Sequence, residues 1–247
     1  MTTNTIDQDR IEHDLIEHGP AEHGPAEHDP AEQDLIEHDL EELGSVKRLG
    51  IMGGTFDPIH FGHLVAAETA RVAFDLDRVL FIPTGQPPHK VDHRVTDPRE
   101  RYEMVGLAIA ANPGFALSNL EIRRGGPSYT IDTLRTLHGI LPESELYFIT
   151  GADALRSMLS WREPEEIIGL TRVISVSRPG YPLQDLFEII DQHVPRHQDR
   201  IFQLKIPALA ISSTDIRRRI KDGLPVRYLL PDNVKSRIEK RGFYRDY

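Results

Sequence analysis

The chain has 247 residues, enough for one large domain or two small ones. Residues 1–44 hold 14 Asp and Glu against one Arg. Residues 45–247 hold 25 Asp and Glu against 28 Lys and Arg, a net charge of +3 that suits anionic ligands but does not indicate nucleic-acid binding. The absence of cysteine excludes disulfides and thiolate zinc sites. With no signal peptide and no apolar run near the ~20 residues of a membrane span, we expect a cytoplasmic protein without a membrane partner.

Residues 1–44 contain a repeat with a period of five residues, in which Glu-His recurs. This period matches neither a helix nor a strand, and three prolines interrupt it. We therefore predict a disordered tail over residues 1–44, ahead of one domain over residues 45–247. Two alternatives stay open for the tail: metal capture by its five histidines, and a pH-dependent interaction arm. The histidines and prolines are His13, His18, His23, His28, His38, Pro20, Pro25 and Pro30.

Downstream of the tail, short apolar runs alternate with longer segments of helical periodicity. The predicted strands span residues 47–52, 78–82, 115–117, 120–122, 145–150, 172–176 and 201–204. The predicted helices span residues 61–74, 98–112, 130–138, a segment after residue 153, 183–192, 213–221 and 231–241. The alternation predicts an α/β fold, a parallel sheet with helices on both faces. Because ligands of such sheets bind at the carboxyl ends of the strands, we expect the loops after the first, second, fourth and fifth long strands to line one cleft.

The first of these loops belongs to the most distinctive segment, Gly50-Ile-Met-Gly-Gly-Thr-Phe-Asp-Pro-Ile-His-Phe-Gly-His-Leu64. A strand leads into a glycine turn and then into a helix, which places backbone N–H groups and the imidazoles of His60 and His63 around a potential phosphate position. Gly53 and Gly54 would let the chain turn sharply and let a phosphate approach the backbone. The segment is neither a Walker loop nor G-x-G-x-x-G. A metal pair is the alternative, but two histidines without a third ligand make a poor metal site.

Five segments, in this order, resemble a known family. Gly53–His63 is similar to the first signature of the HxGH nucleotidyltransferases, and Ile211-Ser-Ser-Thr-Asp-Ile-Arg217 is similar to the second. Three segments between them narrow the resemblance to the bacterial nicotinate-nucleotide adenylyltransferases. They are Pro87-Pro-His-Lys90, Gly126-Pro-Ser-Tyr-Thr-Ile-Asp-Thr133, and Gly151-Ala-Asp153 followed by Trp161. The resemblance covers residues 46–244 approximately and leaves the tail outside.

The resemblance implies a Rossmann-like nucleotidyltransferase fold with a helical C-terminal part. It also implies adenylyl transfer from ATP to nicotinate mononucleotide, giving nicotinate adenine dinucleotide and pyrophosphate in NAD synthesis, with Mg²⁺ as cofactor. His60 and His63 would contact the ATP phosphates and stabilise the transition state, any protonated fraction adding charge. The implied ATP site comprises Gly53, Gly54, Thr55, Phe56, His60, His63, Ser213, Thr214 and Arg217, of which His60, His63 and Arg217 are catalytic.

At the second signature, two interpretations apply to the start of the Arg-rich helix. Ser213 or Thr214 is a natural N-cap residue. Alternatively, the helix N-terminus faces the β- and γ-phosphates, and Arg217 reaches the leaving pyrophosphate. Arg218 and Arg219 point elsewhere on a helix, and we assign them to solvent or packing.

On the acceptor side, the resemblance implies that Lys90 binds the mononucleotide phosphate and that Trp161 stacks on the pyridine ring. The turn before the helix at residue 130 could offer N–H groups to the nicotinate carboxylate, and Asp153 suits a ribose hydroxyl or an amide. The plainer alternatives are a solvated lysine, a core tryptophan and an aspartate that caps a helix. The implied acceptor site comprises Lys90, Ser128, Tyr129, Thr130, Asp153 and Trp161.

Two rival functions are open from the sequence. One keeps the fold and changes the acceptor to nicotinamide mononucleotide or phosphopantetheine. The segment Gly-Pro-Ser-Tyr-Thr and the surroundings of Trp161 favour nicotinate mononucleotide over both. The other is a non-catalytic nucleotide-binding or metal-storage protein with the His-rich tail as its working part, against which the intact phosphate signatures argue.

Overall fold

The computed structural model describes residue 43 and residues 46–88, 95–177, 199–207 and 209–246. Within them, one parallel sheet contains β1 (Arg48–Gly54), β2 (Arg78–Pro83), β3 (Phe115–Leu117), β4 (Glu145–Gly151), β5 (Arg172–Ser177) and β6 (Ile201–Lys205). The strand order is β3-β2-β1-β4-β5-β6. This is the doubly wound order, in which the direction of winding reverses between β1 and β4. The predicted parallel α/β fold is confirmed.

Helices connect these strands and complete the C-terminal part. They are α1 (Phe61–Ala73), α2 (Pro98–Ile109), α3 (Leu120–Arg124), α4 (Thr130–Ile140), α5 (Ala152–Met158), α6 (Pro164–Leu170), α7 (Ser213–Lys221) and α8 (Asp232–Arg241). In the part of the chain that the structure covers, no helix combines the length and apolar character needed to cross a bilayer. Lys90, the helix predicted over residues 183–192 and the predicted tail, apart from Leu43, lie outside the described residues.

Two hydrophobic cores lie on opposite faces of the sheet. One contains buried side chains of α4, α5 and α6, and Leu43 also packs in it. The other contains buried side chains of α1, α2, α7 and α8. The central strands are buried for most of their length, as expected when helices cover both faces of a parallel sheet. The C-terminal helices α7 and α8 therefore belong to the same core as α1 and can position side chains near the end of β1.

The structure corrects two local predictions. Residues 120–122 were predicted as a strand but lie in α3, where the N–H of Leu120 donates to Ser118 Oγ at 3.2 Å and the N–H of Arg123 to Asn119 O at 2.9 Å. So short an apolar run has no periodicity that distinguishes a strand from a helix. One predicted helix after residue 153 is two, α5 and α6, separated by Glu163 in a left-handed conformation with φ 53°.

The sharp turn after β1 is also not where the glycines predicted it. Gly53 and Gly54 are the last residues of β1 and pair with Ile82 and Pro83 of β2. The left-handed residue of the turn is Phe56, with φ 47°. Because the Phe56 side chain is buried, the core holds this backbone conformation in place and the glycines do not have to supply it.

Candidate active site

The two histidines of the first signature stand at the start of α1. His60 is the N-cap residue and His63 lies in the first turn, as the sequence predicted. Their rings stack with centroids 3.7 Å apart and an interplanar angle of 22°. The backbone N–H of His60 donates to Nδ1 of His63 at 3.2 Å, and the ring of Phe56 meets His63 edge-on at 5.1 Å. The loop thus holds both imidazoles in one orientation before any ligand binds.

His63 is an uncharged hydrogen-bond donor in this arrangement. Burial, and secondarily the neighbouring His60, lower the pKa of His63 well below its ordinary value of 6.5. Because Nδ1 accepts the His60 N–H, the proton of the neutral ring belongs on Nε2. Little of the charge that a protonated His63 would add is therefore expected near neutral pH in the free protein. What His63 can offer to a phosphate oxygen is the Nε2–H group.

Gly62 leaves the space that this stack requires. A Cβ atom at Gly62 would lie 2.9 Å from the Cε1 and Nδ1 atoms of His60 and 3.6 Å from the carbonyl oxygen of Ile211. Real Cβ atoms do not approach ring atoms that closely, so a side chain here would displace His60. The glycine between the histidines thus serves close packing between α1 and the segment before α7.

A cavity of about 510 Å³ opens at the carboxyl ends of β1, β4 and β5, beside the reversal of strand order. The starts of α1, α5 and α7 all border it. Six predicted site residues line this cavity: Gly53, His60, His63, Asp153, Ser213 and Thr214. The N-termini of the 13-residue helix α1 and the nine-residue helix α7 therefore face one space, where the positive ends of both helix dipoles favour an anion.

The N-cap of α7 differs from the sequence prediction. Ser212 is the N-cap residue, and its hydroxyl accepts the N–H of Asp215 at 3.1 Å. The hydroxyl of Ser213 donates to the carbonyl oxygen of Pro58 at 2.9 Å, which joins α7 to the loop after β1. Ser213 and Thr214 remain beside the cavity, while Ser212 takes over the capping role.

Arg217 is held against the loop after β1 and does not line the cavity. Its Nη1 donates to the carbonyl oxygen of Asp57 at 2.7 Å, and its Nη2 to Thr214 Oγ1 at 3.4 Å. Contact between Arg217 and pyrophosphate stays a prediction that requires a rearrangement of this side chain. Arg218 and Arg219, which were predicted to lie in solvent or to pack, both pair with Asp215 on the same helix and are at least partly exposed.

Sequence reasoning missed a buried pair that supports the same loop. The hydroxyl of Tyr244 donates to Asp57 Oδ1 at 2.7 Å, and both side chains are buried. The N–H of Thr96 lies 3.4 Å from the other carboxylate oxygen. Asp57 stands in the first signature, but its partner is 187 residues away, so no local pattern indicates the contact.

The loop after β2 borders a second cavity, of about 430 Å³, and not the first. The expectation of a single cleft is wrong in this respect. The lining of the second cavity includes Gly85, Gln86, Tyr129 and Arg101. Of the residues predicted to bind the acceptor, Tyr129 borders this cavity, together with Pro88, the last described residue before Lys90.

Ser128 and Thr130 have other local roles in the structure. Ser128 is buried, and its hydroxyl accepts the N–H groups of Gly85 at 3.1 Å and Gln86 at 3.3 Å. It therefore shapes the loop after β2 from within. Thr130 is the first residue of α4.

Trp161 and Asp153 lie apart from each other. Trp161 packs edge-on against Phe148 of β4, with ring centroids 6.3 Å apart, and lines neither cavity. Asp153 lies in the first turn of α5 and faces the first cavity with an exposed side chain. Next to Trp161, the guanidinium of Arg162 lies 5.2 Å from the ring centroid of Tyr129, which connects the Trp161 segment to the second cavity.

Arg101 is a second residue that sequence reasoning missed. Its side chain is completely buried and forms part of the wall of the second cavity, and the partners of its guanidinium among the described residues are backbone carbonyl groups. The helix begins Pro-Arg-Glu-Arg, and charged residues in such a polar segment are usually exposed to solvent. The neighbours of Arg101 in the sequence therefore do not indicate that it is buried.

The residues around the first cavity fit a metal ion that arrives with a phosphate ligand. Asp153 supplies one carboxylate, and Mg²⁺ in phosphoryl-transfer sites is held by one or two carboxylates, water and the substrate's own phosphates. Among the residues that the structure describes, no group of three His, Asp or Glu side chains is placed to hold a metal by itself.

The chain is similar to known nucleotidyltransferases over almost all of its described part. Residues 51–219 match the Cytidylyltransferase-like family. A probable nicotinate-nucleotide adenylyltransferase of Desulfitobacterium hafniense (strain Y51) is 55% identical over 199 residues, which are 81% of this chain and 96% of that protein. Proteins with the same name from Saccharopolyspora erythraea and Frankia alni are 49% and 52% identical, covering 81% and 78% of this chain and 90% and 98% of theirs.

Solved structures show the same fold. The nicotinic acid mononucleotide adenylyltransferase of Plasmodium falciparum complexed with NaAD is 21% identical, with a TM-score of 0.67, over 80% of this chain and 97% of that one. At this identity the match supports the fold, in agreement with the strand order described above. The family match and the relatives that are about half identical in sequence show that this chain belongs to the nicotinate-nucleotide adenylyltransferase family, within the cytidylyltransferase-like nucleotidyltransferases.

Proposed function

We propose that this protein transfers the adenylyl group of ATP to nicotinate mononucleotide, giving nicotinate adenine dinucleotide and pyrophosphate in NAD synthesis. One observation carries the proposal: the N-termini of α1 and α7, with two stacked imidazoles, face a single cavity. Relatives of about half identical sequence bear the name of this activity. Since ATP is consumed, we also propose that the protein works in the cytoplasm.

The reaction asks for alignment and charge stabilisation more than for covalent chemistry. A phosphate oxygen of the mononucleotide attacks the α-phosphorus of ATP, the new P–O bond forms, and the bond to pyrophosphate breaks. The acceptor oxygen is already ionised, so no general base is required. Catalysis then depends on holding the two substrates in line and on stabilising the charge of the transition state.

On the ATP side, we assign the α-phosphate region to the start of α1. His63 would donate its Nε2–H to a phosphate oxygen, and His60, whose ring stacks on that of His63, would also contact the phosphates. Gly53 is exposed at the end of β1 and lines the cavity, so the absence of a side chain there would let the ligand approach the backbone. Ser213 and Thr214 at the start of α7 would receive the β- and γ-phosphates.

Arg217, Gly54, Thr55 and Phe56 complete the proposed ATP site with indirect roles in the free protein. Arg217 would have to exchange its bond to Asp57 O for one to pyrophosphate. The ring of Phe56 supports His63, and Gly54 and Thr55 connect β1 to Phe56. The ATP site is thus a loop whose backbone and imidazoles face the ligand while its other side chains hold it in place.

On the acceptor side, we assign nicotinate mononucleotide to the region from Asp153 to the second cavity. Tyr129 borders this cavity, and the start of α4 at Thr130 offers backbone N–H groups to a carboxylate. Trp161 would supply an aromatic face, with Ser128 shaping the loop nearby and Lys90 contributing a cation from the same loop.

We also propose Mg²⁺ as cofactor, bound together with ATP. Asp153 would hold it through a carboxylate oxygen or a bound water. When bound, the ion would neutralise part of the phosphate charge. The protein residues keep the roles already given, namely binding and orienting the two substrates and donating hydrogen bonds to phosphate oxygens.

Pyrophosphate release from ATP over a panel of acceptors tests the proposed function. We expect turnover with nicotinate mononucleotide, a lower kcat/KM with nicotinamide mononucleotide, and no turnover with phosphopantetheine. An equal or higher kcat/KM with the amide form would contradict the acceptor assignment. Binding of ATP without pyrophosphate release with any acceptor would favour a non-catalytic nucleotide-binding protein.

The domain boundary near residue 44 is also a proposal. Because Leu43 packs in the core, a truncation that tests it should remove residues 1–42 only. We expect adenylyl transfer to be unchanged in this variant. Loss of activity with an unchanged unfolding transition would instead give the tail a necessary role.

A further inference from the structure

The guanidinium of Arg101 joins three separate backbone segments around the site. Its Nη1 donates to Thr55 O at 2.7 Å, and its Nη2 donates to Thr84 O at 2.7 Å and to Gly85 O at 3.1 Å. Its Nε donates to Thr96 O at 2.8 Å. Thr55 belongs to the loop after β1, Thr84 and Gly85 directly follow β2, and Thr96 precedes α2.

A completely buried guanidinium is unusual unless its donors are satisfied and its charge is compensated. Here the carbonyl oxygens satisfy the donors. Burial lowers the pKa of Arg101, and the nearby charge of Asp57 acts in the opposite direction. Arginine keeps its proton under such conditions, so the group stays a fork of fixed geometry. The guanidinium is the side-chain group that can present several N–H donors in one plane to three chain segments at once.

The segments that Arg101 joins belong to the two sides of the site. The loop with Thr55 continues to His60 and His63, which line the first cavity, while Gly85 lines the second. The backbone N–H of Thr84 already donates to Gly54 O at 2.9 Å, where the two strands end. Arg101 extends this connection beyond the strands. Its donors point to carbonyl groups, so it acts through the two loops.

We propose that Arg101 is a positioning residue that sets the spacing between the loop facing the ATP phosphates and the loop facing the acceptor. This inference rests on the proposed function, in which an oxygen of one substrate must approach the phosphorus of the other in line. A displacement of about 1 Å between bound reactants can lower a rate by about 10²-fold. A change in the distance between the two loops alters the alignment of the two bound substrates with each other. It alters the contacts that each substrate makes with its own loop much less.

Arg101→Lys tests the proposal because it keeps the positive charge but replaces the planar fork with a single nitrogen. We expect kcat per folded site to fall by about 10²-fold. The KM values for ATP and for nicotinate mononucleotide should change much less, as expected when an interaction matters mainly in the transition state. Hydrogen exchange should also become faster in both loops, at residues 55–57 and 84–86, while the centre of β1 keeps its protection.

Met104→Ala is the matched control. Met104 is also completely buried on α2, one turn after Arg101, but it packs in the core and contacts neither loop through hydrogen bonds. It should lose stability without losing kcat per folded site. If Arg101→Lys lowers kcat per folded site no more than Met104→Ala does, or leaves exchange in the two loops unchanged, the positioning role is wrong.

A second variant covers the case in which Arg101→Lys does not fold. In Gly85→Ala, the new Cβ would collide with the carbonyl oxygen of Glu121, so the peptide of Gly85, whose oxygen accepts from Arg101, must shift. We expect the same loss of kcat per folded site, and a normal kcat would contradict the importance of the loop spacing. If wild-type protein shows no transfer to nicotinate mononucleotide, the proposed function is wrong. The role of Arg101 is then still decided by hydrogen exchange in the two loops, which does not depend on that reaction.

Discussion

The loop after β1 and the segment around Trp161 are held in place by contacts of different kinds. The loop is held by a buried hydrogen bond, in which Asp57 accepts from Tyr244 at 2.7 Å, and by a partly buried one, in which Arg217 donates to the Asp57 carbonyl at 2.7 Å. The bond between Tyr244 and Asp57 lies out of water, so breaking it leaves a buried polar group without its partner, and salt screens it little. The ATP side of the site is therefore preorganised by the core.

The segment around Trp161 is held by charges at the surface. Arg135 of α4 pairs with Glu163 and Glu166, and Arg162 pairs with Glu163 at 3.4 Å. Exposed ion pairs contribute little free energy each and weaken with salt. The difference between the two regions indicates that the loop after β1 is rigid, whereas the surface of the Trp161 segment is held by weak contacts that solution conditions can change.

The largest effect is expected from removing the hydrogen-bond donor at the start of α1. His63→Ala should lower kcat by about 10²–10³-fold, because a preorganised transition-state donor is lost. Steady-state kinetics with a parallel urea titration separates this loss from unfolding. His138→Ala is the control, since His138 is exposed on α4 and lines neither cavity. A near-normal kcat in His63→Ala would remove His63 from catalysis.

Removing the buried hydroxyl tests the rigidity of the ATP side. Tyr244→Phe should lower the free energy of unfolding by about 1–3 kcal/mol, because the buried carboxylate of Asp57 loses a donor. The loss should be the same in low and high salt. Tyr228→Phe is the control, as Tyr228 is 79% exposed. If the two variants are equally stable, the bond between Tyr244 and Asp57 does not support the loop.

The pH dependence of stability probes the same region through His63. Its folded pKa lies below 6.5, so above pH 6.5 the ring is neutral in both folded and unfolded states. Below that pH the unfolded state binds a proton that the folded state does not, and the free energy of unfolding should fall by up to about 1.4 kcal/mol per pH unit. His63→Gln should lack this component between pH 6.5 and the folded pKa. Equal slopes in wild type and His63→Gln would show that His63 titrates normally.

The smallest effect is expected on the acceptor side. Arg135→Met should lower the free energy of unfolding by about 0.2–1 kcal/mol at low salt, since its ion pairs are exposed. The difference from wild type should disappear near 1 M salt, where the Debye length is about 3 Å. Arg156→Met, exposed on α5 and outside these pairs, is the control. A loss that persists in high salt would contradict the proposed contrast between the two regions.

The sequence predicted well the elements that are marked by residues close to them in the chain. The bounds of α7 were predicted at both ends, although the N-cap residue is Ser212 and not Ser213 or Thr214 as predicted. The position of His60 as N-cap and His63 in the first turn was also predicted. Prediction failed for α3 and for the division between α5 and α6, where five-residue and seven-residue helices carry too few periods to be recognised.

The amino-acid sequence by itself determined the α/β alternation, the two signatures and the presence of imidazoles and helix N-termini at strand ends. Only the tertiary structure decided that Phe56 makes the turn, that Tyr244 holds Asp57, and that Arg101 and Arg217 bind loop carbonyls. The physical reason is that a backbone carbonyl is the same group at every residue. A side chain that donates to it has no partner that can be recognised in the sequence, and the fold alone brings the two together.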